Sequence, residues 1–189
     1  MTLAWLDVLK AYEEVDVPQG WRLSHVTVSE MLVYPVLESP YAVIVDELIR
    51  HWRRASLGDS FALEQEFPVS LGKAGIFVPD LCVAPRDAVN GHVLRIPMSQ
   101  LLLAVEITNT GSAVASRNRK LRAYAKGGVP QYLLIDAHDP GGPTVTLHTD
   151  PAEDGYLDSV RVPFGEPVAL RDPLPMVIST ATFPVPETD

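Results

Sequence analysis

Two acidic side chains interrupt apolar segments of this chain, and a lysine follows them in a basic segment. Asp80 lies within the apolar residues 76–83, and Glu106 lies within the apolar residues 101–108. A charged group is costly to bury in such a segment, so each carboxylate is paired, bound to a metal ion or placed at the exposed end of a strand. With Lys120 on the helix that follows, the spacing is the one that divalent-metal phosphodiester chemistry requires.

Phosphodiester hydrolysis requires an activated water molecule, neutralisation of the negative transition state and assistance to the leaving oxygen. A hard divalent cation can supply all three. Because Mg²⁺ prefers oxygen ligands and keeps several of its waters, one or two carboxylates suffice to hold it together with main-chain carbonyls and substrate phosphate. Asp80 and Glu106 are therefore the expected ligands of Mg²⁺ or Mn²⁺. The compact ammonium group of Lys120 can orient the attacking water, help to deprotonate it or stabilise the transition state.

Hydrophobic periodicity and turn residues predict the elements that must position these three groups. The predicted strands are 26–34 (a strand or a hairpin), 61–67, 76–84, 101–108, 131–135 and 144–148, with a short strand possible within 91–95. The predicted helices are 3–14, a helix that begins at Ser39-Pro40, and a helix that follows a turn at 109–112 and ends at Lys126 before Gly127-Gly128. This order predicts an α/β or α+β fold in which a mixed β-sheet is flanked by helices.

Composition favours one domain that covers residues 1–189. The hydrophobic content of 47% is ample for a single core. Within this domain, we expect residues 1–20 to form an N-terminal helical cover and residues 150–189 to form an acidic C-terminal extension. Cys82 is the only cysteine, and the N-terminal residues lack the pattern of a signal peptide, so we expect a cytoplasmic protein. No apolar run approaches the roughly 20 residues of a membrane helix, so no membrane partner is expected.

The charge distribution is uneven. The formal net charge of −9 argues against simple non-specific DNA binding, because lysine and arginine supply most of that affinity. Residues 107–135 contain no acidic residue and five basic ones, whereas residues 150–189 contain eight acidic residues and two arginines. A local basic face can therefore coexist with an acidic whole. A solvated amphipathic helix explains the basic segment equally simply.

Three segments that contain these residues resemble a known family. They are Pro79-Asp80-Leu81, the segment from Val105 to Asn109, and the segment from Arg119 to Asp136. Together they resemble the Uma2 family of restriction-endonuclease-like proteins, which belongs to the PD-(D/E)XK nuclease superfamily. The resemblance extends from about Trp21 to Pro184, and the stretch from Lys120 to Asp136 is its most specific part. It implies a restriction-endonuclease-like fold and a nuclease activity.

The resemblance also implies roles for individual residues. It places the strands of Asp80 and Glu106 side by side, so that both carboxylates bind one ion at the end of the sheet, with the carbonyl of Ile107 as an extra ligand. The superfamily usually carries its lysine two residues after the glutamate. Because position 108 is a threonine here, the resemblance implies that Lys120 has taken over that role. Without the resemblance, Lys120 would be interpreted as a surface lysine of a basic helix.

Other positions are expected to support or to weaken this activity. Arg117 or Arg119 is expected to contact backbone phosphate. His25 occupies the place of a glutamate that the family carries on its first strand, and could bind a metal ion or accept a proton, although a structural role is the ordinary expectation for one histidine. Ser116 replaces an aspartate of the family, which favours a weakened or lost activity.

The leading hypothesis from the sequence is therefore a Mg²⁺-dependent or Mn²⁺-dependent endonuclease-like phosphodiester hydrolase that acts on nucleic acid, with DNA expected. By analogy with related nucleases, a homodimer is expected. Two alternatives remain open. One is a catalytically silent interaction domain on the same fold, which the acidic tail, His25 and Ser116 favour. The other is a phosphoesterase for small nucleotides, which fits the negative charge better than a duplex-binding enzyme.

Overall fold

A computed structural model describes residues 5–35, 38–55, 57, 59–90, 94–108 and 112–185 of the chain. The predicted residues 91–93 of a possible short strand and residues 109–111 of a predicted turn lie outside this described part. Within it, none of the helices combines the length and the apolar character that crossing a membrane demands.

The chain has a mixed α+β fold of the predicted class. Its helices are α1 (Trp5–Glu14), α2 (Glu38–Ala55), α3 (Arg86–Val89) and α4 (Leu121–Lys126). Its strands are β1 (Trp21–Thr27), β2 (Met31–Pro35), β3 (Phe61–Gln65), β4 (Val69–Ser70), β5 (Gly75–Phe77), β6 (Leu81–Pro85), β7 (Ile96–Pro97), β8 (Leu103–Ile107), β9 (Gln131–Asp136), β10 (Thr144–Ala152), β11 (Gly155–Pro163), β12 (Val168–Ala169) and β13 (Val177–Ile178).

The main sheet has six strands in the order β11-β10-β9-β8-β6-β3. Strands β8 and β9 run parallel, and the other neighbours are antiparallel. All residues of β8 and β9 are buried, which agrees with their nearly continuous apolar sequences, since a strand covered on both faces has no exposed side. The short strand β7 follows the residues that were expected to hold it.

A smaller sheet has the order β2-β1-β5-β4-β7, and the chain passes from it to the main sheet immediately before Asp80. The single strand predicted over residues 76–84 is wrong, because β5 pairs in the small sheet and β6 pairs in the main one. The Val78 N–H donates to the carbonyl of Ser24, whereas the Asp80 N–H donates to the carbonyl of Val105. Pro79 lies between them and has no N–H to donate, so the hydrogen bonding changes partner at this point.

The two faces of the main sheet bury two groups of side chains. One face packs Leu103, Val105 and Ile107 of β8 against α2 and the C-terminal segment. That segment was expected to be an acidic extension, but it contributes β11 to the sheet and Leu174 and Phe183 to this core. The other face of the sheet carries Ala104 and Tyr132 and packs against α4.

The helix predicted to end at Lys126 begins with a π-helical segment, Ala115–Lys120, that leads into α4. A regular helix would place Val114 on the same side as Leu121 and Ala125, but Val114 is 70% exposed. The wider π-helical turn rotates the residues before α4 relative to a regular helix, so helical spacing fails across this junction. The carbonyl of Ser116 accepts a hydrogen bond from the hydroxyl of Tyr132 at 2.9 Å.

Candidate active site

Asp80 and Glu106 occupy opposing positions on neighbouring strands. Strands β6 and β8 pair with Leu81 opposite Val105, so continuing this register by one residue brings Asp80 opposite Glu106. Directly opposed side chains on an antiparallel pair project from the same face of the sheet. That face is the one covered by α4, because the neighbouring pair Cys82 and Ala104 lies in its core. The sheet therefore brings together the two carboxylates that interrupt the apolar segments.

Lys120 reaches this pair from the end of the π-helical segment. Its Nζ lies 2.8 Å from each carboxylate oxygen of Glu106 and 3.0 Å from the carbonyl oxygen of Val78. Asp80 is 2% exposed, and Glu106 and Lys120 are each 1% exposed. Lys120 is therefore a buried counter-ion of Glu106 and not a surface lysine.

Main-chain and arginine donors orient the carboxylate of Asp80. The N–H of Ile107 donates to Oδ2 at 2.7 Å, and Nη1 of Arg22 donates to Oδ1 at 3.2 Å. Ile107 was predicted as a ligand through its carbonyl, and this prediction stays open, because the contact that the structure shows is made by its N–H. Arg22 also forms an ion pair with Glu66, and its guanidinium carbon lies 4.0 Å from the centre of the Tyr41 ring.

Burial dominates the electrostatics of both carboxylates. Desolvation raises the pKa of Asp80, and the charge of Lys120, the Ile107 N–H and Arg22 oppose this shift. Desolvation also raises the pKa of Glu106 to about 7; Lys120 opposes that shift, and the charge of Asp80 adds to it. Each of the two buried carboxylates raises the free-energy cost of ionising the other. A further positive charge in the cluster would therefore be favourable.

A second polar cluster lies beside the first. The side chain of His25 is fully buried, stacks on Phe77 with ring centres 5.4 Å apart, and places Nε2 2.6 Å from Oε1 of Glu30. Arg119 forms an ion pair with Glu30 and lies 3.4 Å from the same His25 nitrogen. Desolvation, together with the charges of Lys120 and Arg119, lowers the pKa of His25 to about 4, so the imidazole is neutral at pH 7.

Arg117 lies apart from both clusters. Its Nε and Nη2 donate to the two oxygens of Asp136 at 2.5 and 2.9 Å, and Nη2 also donates to the carbonyl of His138 at 2.7 Å. The Thr108 hydroxyl donates to the same carboxylate at 2.8 Å. This bidentate pairing anchors the π-helical segment to the end of β9 and engages much of the guanidinium. The structure therefore brings together Asp80, Glu106, Lys120 and Ile107, sets His25 and Arg119 beside them, and separates Arg117.

Sequence reasoning missed three groups of this site. Tyr124 donates its hydroxyl to Oε1 of Glu106 at 2.7 Å, and helical spacing could have found it, because it lies one turn after Lys120. No sequence signal points to Arg22 or to the carbonyl of Val78, since both reach the cluster through contacts between the two sheets.

The donor set fits a cation that prefers oxygen ligands. Within the described residues, no group of three or more His, Cys, Asp and Glu side chains is arranged to hold a metal ion. Mg²⁺ needs fewer protein ligands than that, because it keeps waters and binds substrate phosphate. Each carboxylate has about four lone-pair sites, and Asp80 uses two of them while Glu106 uses three, so both retain a site for an ion.

Comparisons with known proteins report on the fold and the family of the chain. The chain's fold is similar to that of a solved structure described as "a putative nuclease belonging to DUF820 from Anabaena variabilis ATCC 29413", with a TM-score of 0.66 and 13% sequence identity over 89% of each chain. No curated protein matches the sequence. Residues 11–183 match the family profile of Uma2, whose description is "Putative restriction endonuclease". Because this match covers nearly all of its 189 residues, the chain belongs to the Uma2 family.

Proposed function

We propose that this chain is a Mg²⁺-dependent or Mn²⁺-dependent phosphodiester hydrolase that cleaves within nucleic acid, with DNA as the expected substrate. One observation carries the proposal. Three charged side chains from two strands and a helix meet in a cluster that excludes water almost completely, and Lys120 is the counter-ion within it. Buried charges are expensive, and functional sites are where such arrangements concentrate.

Asp80 and Glu106 would hold the ion, with the carbonyl of Ile107 as a further ligand. When bound, such an ion would activate water and neutralise charge on the phosphate. The Ile107 N–H and Arg22 hold the Asp80 carboxylate in a fixed orientation, so little ordering remains to be done when a ligand arrives.

Lys120 would serve the attacking water and the phosphate. Its ammonium group can donate three hydrogen bonds, and in the structure they reach both oxygens of Glu106 and the carbonyl of Val78. A cation that bound Glu106 would compete with Lys120 for the same oxygens. The ammonium group would then be released toward the water or the transition state, where its positive charge is useful.

Arg119 is the better placed of the two predicted phosphate contacts. About half of its side chain is exposed beside His25 and Glu30, whereas Arg117 is engaged by Asp136. We propose Arg119 as the nucleic-acid contact and His25 as a neutral hydrogen-bonding group next to the site.

A catalytically silent interaction domain is the second candidate, and the burial of the cluster favours it. Lys120 already satisfies Glu106, and a substrate must gain access to groups that are at most 2% exposed. In a phosphoesterase for small nucleotides the cluster would be equally buried, but the substrate that must reach it would be smaller.

Metal-dependent cleavage by the full chain separates these functions. Single-stranded DNA, duplex DNA and a dinucleoside monophosphate would each be incubated in Mg²⁺ or Mn²⁺ beside the variants Asp80→Asn and Lys120→Met. Cleavage that requires the metal and is lost in both variants supports the hydrolase, and the substrate cleaved best separates the endonuclease from the small-nucleotide enzyme. Equal cleavage by wild type and variants would indicate a contaminant.

Metal binding by itself gives a second measurement. If Asp80 and Glu106 hold the ion, Mn²⁺ at one hundred times its dissociation constant stabilises the wild-type fold by about 2.7 kcal/mol. The Asp80→Asn variant should lose most of that stabilisation. Absence of both cleavage and metal-dependent stabilisation would establish the silent domain. Light scattering of the purified chain would test the expected homodimer.

A further inference from the structure

Arg22 connects the candidate metal ligand Asp80 to the surface of the molecule. One end of its guanidinium donates to the buried carboxylate of Asp80 at 3.2 Å, and the other end forms an ion pair with Glu66. The side chain of Arg22 is 13% exposed and that of Glu66 is 42% exposed. Arg22 therefore has one permanent partner inside the cluster and one replaceable partner outside it.

Glu66 is held in an unusual backbone conformation. Its φ is +52°, and Glu66 and Asp150 are the non-glycine residues with positive φ in the described part of the chain. Such a conformation costs on the order of 1 kcal/mol and persists where surrounding contacts hold it, often at functional sites. The Glu66 N–H donates to the carbonyl of Asp80 at 3.1 Å, so the backbone of Asp80 itself fixes Glu66 next to Arg22.

The Tyr41 hydroxyl is a further donor beside Arg22 and Asp80. The Arg22 guanidinium lies 4.0 Å from the centre of the Tyr41 ring, and this cation–π contact helps to fix the orientation of the guanidinium. The Tyr41 hydroxyl is buried and has no hydrogen-bond partner of normal geometry in the described residues. Burial and then the charge of Asp80 raise its pKa, so it remains a protonated donor near that carboxylate.

We propose that Arg22 is a phosphate-binding residue of the candidate active site and that Glu66 is its resting counter-ion, which a phosphate of the substrate replaces. This inference rests on the proposed phosphodiester chemistry and adds the residue that would bind the phosphate. A guanidinium binds phosphate through two parallel hydrogen bonds, which a carboxylate such as Glu66 imitates. The Tyr41 hydroxyl, which makes no hydrogen bond of normal geometry in the described residues, would supply a further donor to the same phosphate.

The exchange is energetically feasible because Glu66 is half-exposed. Exposed ion pairs contribute little to stability, so the Arg22–Glu66 contact is cheap to open. By contrast, the Lys120–Glu106 pair is fully buried and costly to open. Glu66 also lines a cavity of about 430 Å³ whose wall carries Arg95, and this cavity gives room for the displaced carboxylate.

The test measures binding separately from hydrolysis. Wild type, Glu66→Gln, Arg22→Gln and the control Glu64→Gln would be titrated in EDTA with a dinucleoside monophosphate and followed by protein NMR. Glu64 lies on strand β3, two residues before Glu66, and forms no ion pair in the described part of the chain. Glu66→Gln should tighten binding by about twofold to fivefold, the factor that corresponds to a half-exposed ion pair. Arg22→Gln should abolish binding, and Glu64→Gln should match wild type.

Unchanged affinity in Glu66→Gln, or wild-type affinity in Arg22→Gln, would overturn the inference. Absence of binding by Glu66→Gln would overturn it as well, and this variant keeps Arg22 and its contact with Asp80 intact. If the affinities of the variants follow the expected order but no metal-dependent cleavage is seen, the result would support the phosphate site and contradict the proposed hydrolase. Cleavage that is lost in Asp80→Asn but unchanged in Glu66→Gln and Arg22→Gln would support the hydrolase and contradict the phosphate site.

Discussion

The hydroxyl of Tyr124 lies 2.7 Å from Oε1 of Glu106, on the carboxylate that also binds Lys120. The three side chains therefore form one hydrogen-bonded unit in which the π-helical segment supplies Lys120, α4 supplies Tyr124 and β8 supplies the acceptor. Because Tyr124 and Lys120 are one helical turn apart, a rigid shift of α4 would move both donors together.

Replacing Tyr124 by phenylalanine removes one donor from a buried anion without changing the volume of the ring. Hydrogen bonds to charged groups contribute about 1.5–3 kcal/mol, so we expect the free energy of unfolding to fall by about that amount. Urea denaturation at pH 8, where Glu106 is mostly ionised because its pKa is about 7, would measure it. Tyr156→Phe is the matched control, because its hydroxyl donates to the neutral carbonyl of Val129 at 2.9 Å and should cost only about 1 kcal/mol. Equal costs for the two variants would contradict a charged Glu106.

Replacing Lys120 by methionine leaves Glu106 without its counter-ion. Breaking a buried pair by removing one partner typically costs about 3–5 kcal/mol, whereas replacing both partners by neutral groups is often neutral. We therefore expect Lys120→Met to destabilise strongly and the double variant Glu106→Gln/Lys120→Met to recover most of the loss. A double-mutant cycle from denaturation curves gives the coupling energy. Additive effects of the two substitutions would show that the ammonium and the carboxylate do not depend on each other.

The loss of stability expected for Lys120→Met also affects how the activity assay is interpreted. A loss of cleavage in Lys120→Met is informative only at temperatures where this variant is folded. Circular dichroism at the assay temperature would establish that condition.

Two glycines follow α4, and each is expected to resist substitution for a different reason. A Cβ at Gly127 would lie 2.7 Å from Cβ of Met98, whereas Gly128 has open space around it but a φ of +74°. Overpacking costs about 1–3 kcal/mol, and the left-handed conformation costs alanine about 1–2 kcal/mol. In a Met98→Ala background, the cost of Gly127→Ala should shrink and that of Gly128→Ala should not. Thermal unfolding would measure both.

Local sequence patterns were sufficient for most elements and for singling out Asp80 and Glu106. The apolar segments around Asp80 and Glu106 predicted two strands, each with a charged residue that is costly to bury. The role of Lys120 came from the family resemblance. The Gly127-Gly128 stop of α4 also followed from local conformational preference.

The remaining features depend on contacts that the sequence does not encode locally. Pro79 looked like an interior position of one strand, because nothing in the segment reveals that its two ends pair with different sheets. The π-helical segment that ends at Lys120 has no sequence periodicity of its own, so regular helical spacing gives the wrong side for Val114. Arg22 could not be assigned to the site, since it lies on the smaller sheet and reaches Asp80 across the junction of the two sheets. Glu66 could not be assigned either, since only the pairing of β3 with β6 brings it beside Asp80.

The Arg117–Asp136 pair is expected to make stability depend on acid pH. Burial alone would raise the pKa of Asp136, but hydrogen bonds from Arg117 and Thr108 outweigh burial, and the net shift is downward from 3.8. A carboxyl group with a lower pKa in the folded state binds its proton more readily in the unfolded state, so stability rises with pH through this range. The contribution is therefore fully present above about pH 5 and is lost as pH falls through 3.8 and below. Denaturation at pH 6, 4 and 3 should show a steeper loss in wild type than in Asp136→Asn. Identical slopes would mean that Asp136 has the same proton affinity folded and unfolded, in conflict with its bidentate contact to Arg117.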